Sequence, residues 1–242
     1  MRPLAIISDV HSNLEALGSV LKDIARRKIE KIVFTGDAVG YGPDPDECIK
    51  LIRKVSSVSL MGNHDMAVIE PGHLDYFNQF ARKAAIWTKD NISPTSLRSL
   101  KAFKMTGQLK KDSIFLVHST PRDPSAWNYL YNMDDVDTNF YYFSHRICMV
   151  GHSHIPFIAE QLPSGEIVLH KSSVKINSDN RYIVNVGSVG QPRDGDPRSC
   201  YTIIKNNTIQ IIRVKYKIEK TQEKMLQADL PSPLIERLSR GV

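Results

Sequence analysis

Cysteine is scarce. Cys48, Cys148 and Cys200 are the only three in 242 residues, they lie far apart, and no Cys-x-x-Cys pair occurs. That excludes a disulfide framework and a sulfur-ligated zinc site, and it fits reduced thiols in a cytoplasmic protein. Long apolar runs are also missing: nothing approaches the roughly 20 residues of a membrane span. The first apolar stretch, Leu4 to Ser8, is too short for a signal peptide and Asp9 ends it. Internal repeats and low-complexity segments are absent. Neither charge sign dominates, with 32 basic and 26 acidic residues and a net charge of +6. Lys171 to Lys217 carries nine bases against three acids, but this span reads mainly as short strands. A solvated sheet face is therefore expected there rather than a nucleic-acid surface.

What is present is ordinary for a folded protein: 41% hydrophobic and 24% charged residues. A chain this long buries about 70–75% of its unfolded surface and needs no covalent staple. One domain over residues 1–242 is expected, with a body to about 215 and a tail, 216–242, packed on it. Leu4 to Ser8 reads as a buried strand. Ser12-Asn13-Leu14-Glu15 reads as a capping box with Ser12 as N-cap, and Asn13 as a first-turn residue. Leu14, Leu17, Leu21 and Ile24 then recur at helical spacing, and Lys31 to Thr35 reads as a second strand. The opening is thus β-α-β.

Asp44-Pro45 starts another helix, Val55 to Leu60 is a strand, and His73 to Asp90 and Thr95 to Phe103 read as helices. Ser113 to Val117 and Ile147 to Val150 are strands flanking a helix at Asp134 to Phe143. Short β-type runs follow at Pro156 to Ile158, Glu166 to His170, Arg181 to Val186, Cys200 to Ile204 and Thr208 to Val214. The tail carries weaker helical signals.

The placement of histidine and aspartate carries the chemistry. Five successive strand ends deliver Asp9-Val10-His11, Gly36-Asp37, Gly62-Asn63-His64-Asp65, His118 and Gly151-His152-Ser153-His154. Ligands of open α/β sheets bind beyond the carboxyl ends of strands, so these residues are expected on one rim. Imidazoles, carboxylates and one amide oxygen form a mixed N/O set suited to Mn, Fe or Zn. Residues two apart on an extended backbone face the same side, which pairs Asp9 with His11 and His152 with His154. His73, His145 and His170 stand alone and read as ordinary hydrogen-bonded residues. Asp65 reads as a structural partner, and Trp127, Tyr129 and Tyr131 as hydrophobic packing.

These five blocks, in this order, resemble the calcineurin-like metallophosphoesterase superfamily, and the resemblance runs from residue 4 to about 215. Gly36 to Pro43 and Gly187 to Asp194 are similar to a subfamily of small prokaryotic members. The resemblance implies an α/β fold, a four-layer α/β/β/α sandwich of two mixed β-sheets with helices outside. It implies two divalent metal ions, Mn first, with Fe, Zn, Ni or Mg as substitutes. Asp9, His11 and His154 would hold one ion, Asn63, His118 and His152 the other, and Asp37 would bridge them. A hydroxide held between the ions would attack phosphorus in line. His64 would face the leaving oxygen and protonate it or stabilise its charge.

The protein serine/threonine phosphatases of this superfamily carry an Asp and an Arg where this chain has Gly40 and Tyr41. A small-molecule phosphodiester or phosphomonoester, with nucleotides among the candidates, is therefore expected as substrate, with phosphate contacts from Arg193, Tyr41 or Arg122 and Arg193 preferred. The start of the first helix, right after His11, is expected to face that phosphate. A nuclease and a non-catalytic interaction module on the same fold are the alternatives. No membrane partner is expected.

Overall fold

The computed structural model describes residues 2–242. Its first strand shows how the layers arise. In β1 (Leu4–Ile7) the side chains alternate: Leu4 and Ile6 join one apolar cluster, Ala5 and Ile7 another. A strand buried on both faces must lie between two layers, and β1 does. Parallel β2 (Lys31–Phe34) and β3 (Ser56–Ser59) flank it on one side. On the other lie antiparallel β11 (Ser199–Lys205), β12 (Thr208–Val214) and β9 (Ser173–Lys175), giving the order β3-β2-β1-β11-β12-β9.

The second sheet is also six-stranded: β4 (Thr106–Leu109), β5 (Ile114–Val117), β6 (Ile147–Val150), β10 (Arg181–Asn185), β7 (Phe157–Gln161) and β8 (Ile167–His170), in that order. Here β5, β6 and β10 run parallel, and β4, β7 and β8 are antiparallel additions. Leu4, Ile6, Val33, Met149, Tyr182 and Val184 fill the space between the sheets. Helices α1 (Leu14–Arg26) and α2 (Pro45–Val55) cover the outer face of the first sheet through Leu17, Val20, Ile24, Ile49 and Ile52. Helix α6 (Met133–Phe140) covers the second through Val136 and Phe140. The expected four layers are present.

Several local readings differ. Asn13, not Ser12, caps α1: its side chain accepts from the Ala16 N–H at 3.1 Å, while Ser12 is left-handed at φ 54°. Asp44 holds the N-cap position of α2 without a capping bond and pairs with Lys224 at 2.8 Å instead. The expected helix over His73 to Asp90 is a 3-10 turn, Pro71–Tyr76, followed by α4 (Gln79–Asn91), which Asn78 caps. Helix α5 (Pro94–Lys101) follows. A further helix, α3 (Asn63–Ile69), opens on the Asn63-His64-Asp65 block itself.

The tail forms α7 (Ile218–Gln227) and α8 (Ser232–Arg240). Met225, Leu230, Leu234 and Leu238 pack against Tyr41, Ala81 and Ala84. Lys224 reaches both Glu15 and Asp44, and the Thr221 hydroxyl bonds Asn13 at 3.0 Å. The start of α1 is consequently roofed by Thr221 and by Gly190, whose carbonyl accepts from Asn13, instead of lying open toward an anion.

Candidate metal centre

The loops after β1, β2, β5 and β6, together with the start of α3, meet at the carboxyl ends of the parallel strands. Main-chain bonds splice them. Asp9 N–H donates to the Gly36 carbonyl at 2.9 Å, His11 N–H to Asp37 at 3.0 Å, and Gly151 N–H to His118 at 2.8 Å. The loop after β10 joins through Gly190 N–H, which donates to Asp9 at 2.9 Å. Asp9, His11, Asp37, His152 and His154 all have positive φ, between 49° and 69°. The pairing of Asp9 with His11 and of His152 with His154 thus comes from left-handed turns and not from extended backbone. Non-glycine residues rarely take this conformation, and here the cross-loop bonds hold it.

Asp65 is the clasp of the site. One of its carboxylate oxygens accepts from Ala38 and Val39, the other from Asp37 and Gly62, all at 2.9–3.1 Å. Burial and the Asp37 charge push its carboxyl up to about 7, against the pull of these N–H groups. The four donors match only the ionised, acceptor-only form. Gly62 has no freedom to carry a side chain, because a Cβ would collide with the Asp37 carboxylate.

Around this frame, polar atoms converge. His11 Nε2 lies 3.0 Å from His154 Nε2, and His154 Nε2 lies 3.4 Å from Asp9 Oδ1. Asp37 Oδ2 sits 3.6 Å from His11 Nε2 and 3.3 Å from His118 Nε2, between the two halves of the cluster. Asn63 Oδ1 lies 3.2 Å from His118 Nε2. Three overlapping donor groups result: Asp9, His11 and His154; His11, Asp37 and His64; Asp37, His118 and His152. Apart from half-buried Asn63, all of these side chains are buried.

The ring orientations are set from behind. His11 Nδ1 meets the Val39 carbonyl at 3.0 Å, His118 Nδ1 that of Thr35 at 2.9 Å, and His154 Nδ1 that of Gln191 at 2.5 Å. A carbonyl partner fixes the proton on Nδ1 and turns the Nε2 lone pair inward, as metal-ligating imidazoles require. His152 differs, since its Nε2 contacts the Trp127 carbonyl at 2.8 Å. Burial holds His11 well below the usual histidine range, His152 at about 3 and His64 at about 4. His118 goes the other way: burial opposes its charge, but Asp37 and then Asp9 outweigh it and push it up to about 9. The His11 and His154 Nε2 atoms face each other beside buried carboxylates with no donor between them, a set that a divalent cation satisfies. The residues present therefore fit two such ions.

His64 lies at the edge of the cluster, with its ring 4.4 Å from Tyr41 and 4.5 Å from Phe77 and no hydrogen-bond partner at Nδ1. Arg193 donates to Gln191 Oε1 at 2.8 Å and to the Tyr41 hydroxyl at 3.2 Å, so these two candidate phosphate contacts stand together. Gln191, which the sequence did not single out, links both ends of the site: its main-chain oxygen meets His154 and its side-chain oxygen holds Arg193. Arg122 stands elsewhere, exposed, with its guanidinium 5.8 Å from the Tyr142 ring. Trp127 and Tyr129, expected as packing, line a cavity of about 470 Å³ together with Asn63, His64, Phe77 and His152. His170 pairs with Glu160 at 2.7 Å and belongs to none of the three donor groups. Within the basic span, Arg181 bonds the Phe140 and Phe143 carbonyls, and Arg198 and Arg213 pair with Asp196 and Asp194.

Comparisons with known proteins agree with this geometry. Residues 1–208 match the profile of the calcineurin-like phosphoesterase superfamily domain. An uncharacterized protein of Methanocaldococcus jannaschii is 43% identical over 242 residues, which is 98% of each chain. The crystal structure of a metallophosphoesterase from Sphaerobacter thermophilus superposes with a TM-score of 0.88 at 39% identity, covering 100% of this chain and 99% of the other. A hypothetical protein from Pyrococcus horikoshii shares the fold at 18% identity, with a TM-score of 0.82 and coverage of 100% and 99%.

Proposed function

Because the chain belongs to the calcineurin-like phosphoesterase superfamily, we propose that it is a dinuclear metal-dependent phosphoesterase acting on phosphodiester or phosphomonoester bonds of small molecules. One observation carries the reading: a buried cluster of seven N/O donors opens into a cavity of about 470 Å³, a size suited to a small ligand. Asp9, His11 and His154 would hold one ion and Asn63, His118 and His152 the other, with Asp37 Oδ2 facing both sets. Two divalent ions, manganese foremost for this donor set, would supply a nucleophile activated at neutral pH and neutralise phosphate charge.

The chain's own residues do the rest. Arg193 meets the phosphate oxygens, and Tyr41 and Gln191 hold its guanidinium in place. His64 offers an N–H to the leaving oxygen. Burial holds its ring neutral, at about 4, and a phosphate anion beside it favours the protonated form. Arg122, whose guanidinium lies over the Tyr142 ring, is not assigned a phosphate contact. The full chain acts as one catalytic unit, and its buried, reduced thiols fit a cytoplasmic setting.

The test is hydrolysis of an activated aryl phosphodiester and an aryl phosphomonoester by metal-stripped protein before and after adding Mn, Fe, Zn, Ni or Mg. Reloading restores turnover of at least one ester on this reading. No gain with any metal would sink it.

A further inference from the structure

We propose that the cavity beside the metal centre is a clamp for a planar, uncharged aromatic or heteroaromatic group of nucleobase size, carried by the phosphate ester. The proposal rests on the phosphoesterase reading for its reaction but not for its binding chemistry. Two aromatic columns rise from the cluster. Tyr41, His64 and Phe77 form one, with successive ring centroids 4.4 and 4.5 Å apart. His152, Tyr129 and Tyr131 form the other, stacked at 3.9 and 4.8 Å. The first set centres on His64, with planes tilted by 51° and 45°, the second starts at His152, and all but Tyr131 line the cavity, so a planar group leaving the phosphate is bordered by aromatic rings. Tyr76 at the same cavity is 87% exposed and Tyr131 is 77% exposed, an unusual outlay of aromatic surface to solvent.

Trp127 gives the clamp a polar point. It lines the cavity, is held left-handed at φ 53°, and its indole N–H is buried without a partner. A buried donor left unpaired costs stability, and a ring nitrogen or carbonyl of a ligand would satisfy it. A bulky aromatic at positive φ is uncommon enough to mark a position selected for something other than backbone ease.

Charge narrows the class further. No lysine or arginine is among the described residues lining this cavity, while Arg193 stands on the Tyr41 side, where the single phosphate would lie. A chain of further phosphates would find no cation here. A nucleic-acid strand would need a basic track beyond the cavity, and in the second half Arg181, Arg198 and Arg213 are already engaged by carbonyls or carboxylates. The ester therefore carries one phosphate and one flat group.

Adenosine and ribose test this without hydrolysis, because neither has a phosphate to lose. Full-length protein carrying Trp87→Phe keeps Trp127 as its one tryptophan. Adenosine should quench its fluorescence saturably and ribose should not. Phe77→Leu and Tyr129→Leu, both at the cavity, should each weaken adenosine about tenfold, as loss of a stacking partner does. Adenosine triphosphate should bind no more tightly than adenosine monophosphate. Equal responses to adenosine and ribose, or unchanged adenosine binding in both variants, would overturn the clamp. Tighter triphosphate or oligonucleotide binding would overturn the charge argument. Adenosine binding without any ester hydrolysis would defeat the phosphoesterase reading alone, and hydrolysis without adenosine binding would defeat the clamp alone.

Discussion

Asp65→Asn removes one acceptor from the clasp beneath the metal site while changing almost no volume. The four N–H groups divide into two pairs, Ala38 with Val39 on one oxygen and Asp37 with Gly62 on the other. Whichever way the new amide turns, its NH₂ faces one pair, and two buried donors lose their acceptor. Each such loss costs about 1–3 kcal/mol, so the pair costs about 2–6. Relief of the repulsion between Asp65 and Asp37 returns part of this, of the order of 1 kcal/mol. A net loss of about 1–5 kcal/mol remains. At about 2–4 °C per kcal/mol for a chain of this size, the melting temperature should fall by about 2–20 °C. Thermal unfolding followed by circular dichroism on metal-stripped protein measures it. A shift under about 2 °C would refute the reasoning, because it would mean that Asp65 is already protonated and the clasp is not built on its charge.

Three more outcomes follow from the same geometry. His64→Gln should lower kcat by about 10²–10⁴ with metal content per chain unchanged, checked by steady-state kinetics and elemental analysis; loss of metal would instead make His64 a ligand. Gln191→Ala removes the oxygen that holds Arg193 but keeps the main-chain oxygen on His154, so KM for the phosphate ester should rise about 3–10-fold with kcat within about twofold. A fall in kcat alone would place Gln191 in the chemistry. Asp23 accepts from Tyr201, Arg27 and Arg26, and these bonds outweigh burial to hold its carboxyl below the usual range. Its contribution is therefore present above the unfolded value of about 3.9 and is lost as pH falls through the lower native value. Urea unfolding between pH 5 and pH 2 should show a shallower acid decline for Asp23→Asn than for the parent; equal slopes would contradict this.

The candidate site was legible because His, Asp and Asn recur together at five strand ends in one order, although Asp or Asn alone is common in turns. Its geometry was not. The left-handed turns at Asp9, His11, His152 and His154 depend on main-chain bonds between loops more than 25 residues apart, such as Asp9 to Gly36, which no local pattern carries. Helix α3 was hidden because Asn63-His64-Asp65 reads as a polar loop, although Asp65 caps its own helix by accepting from Gly62. The strands β4 and β9 escaped because both lie at sheet edges and pair on one side only, so neither needs a strong apolar alternation. Ser12 and Asn13 are equally good caps by type, and the choice fell to Asn13, whose amide also reaches Gly190. Long side chains were least readable: Arg122 and Arg193 are both loop arginines, yet one lies on Tyr142 and the other on Tyr41.

The most direct test of a two-ion phosphoesterase is the rate of aryl phosphate ester hydrolysis as metal-stripped protein is titrated with manganese below and above stoichiometry. Activity should rise with added metal and level at two equivalents per chain, and Asp37→Ala, at the residue facing both donor sets, should remove the rise. A rate independent of metal, or one that levels at a single equivalent, would contradict it.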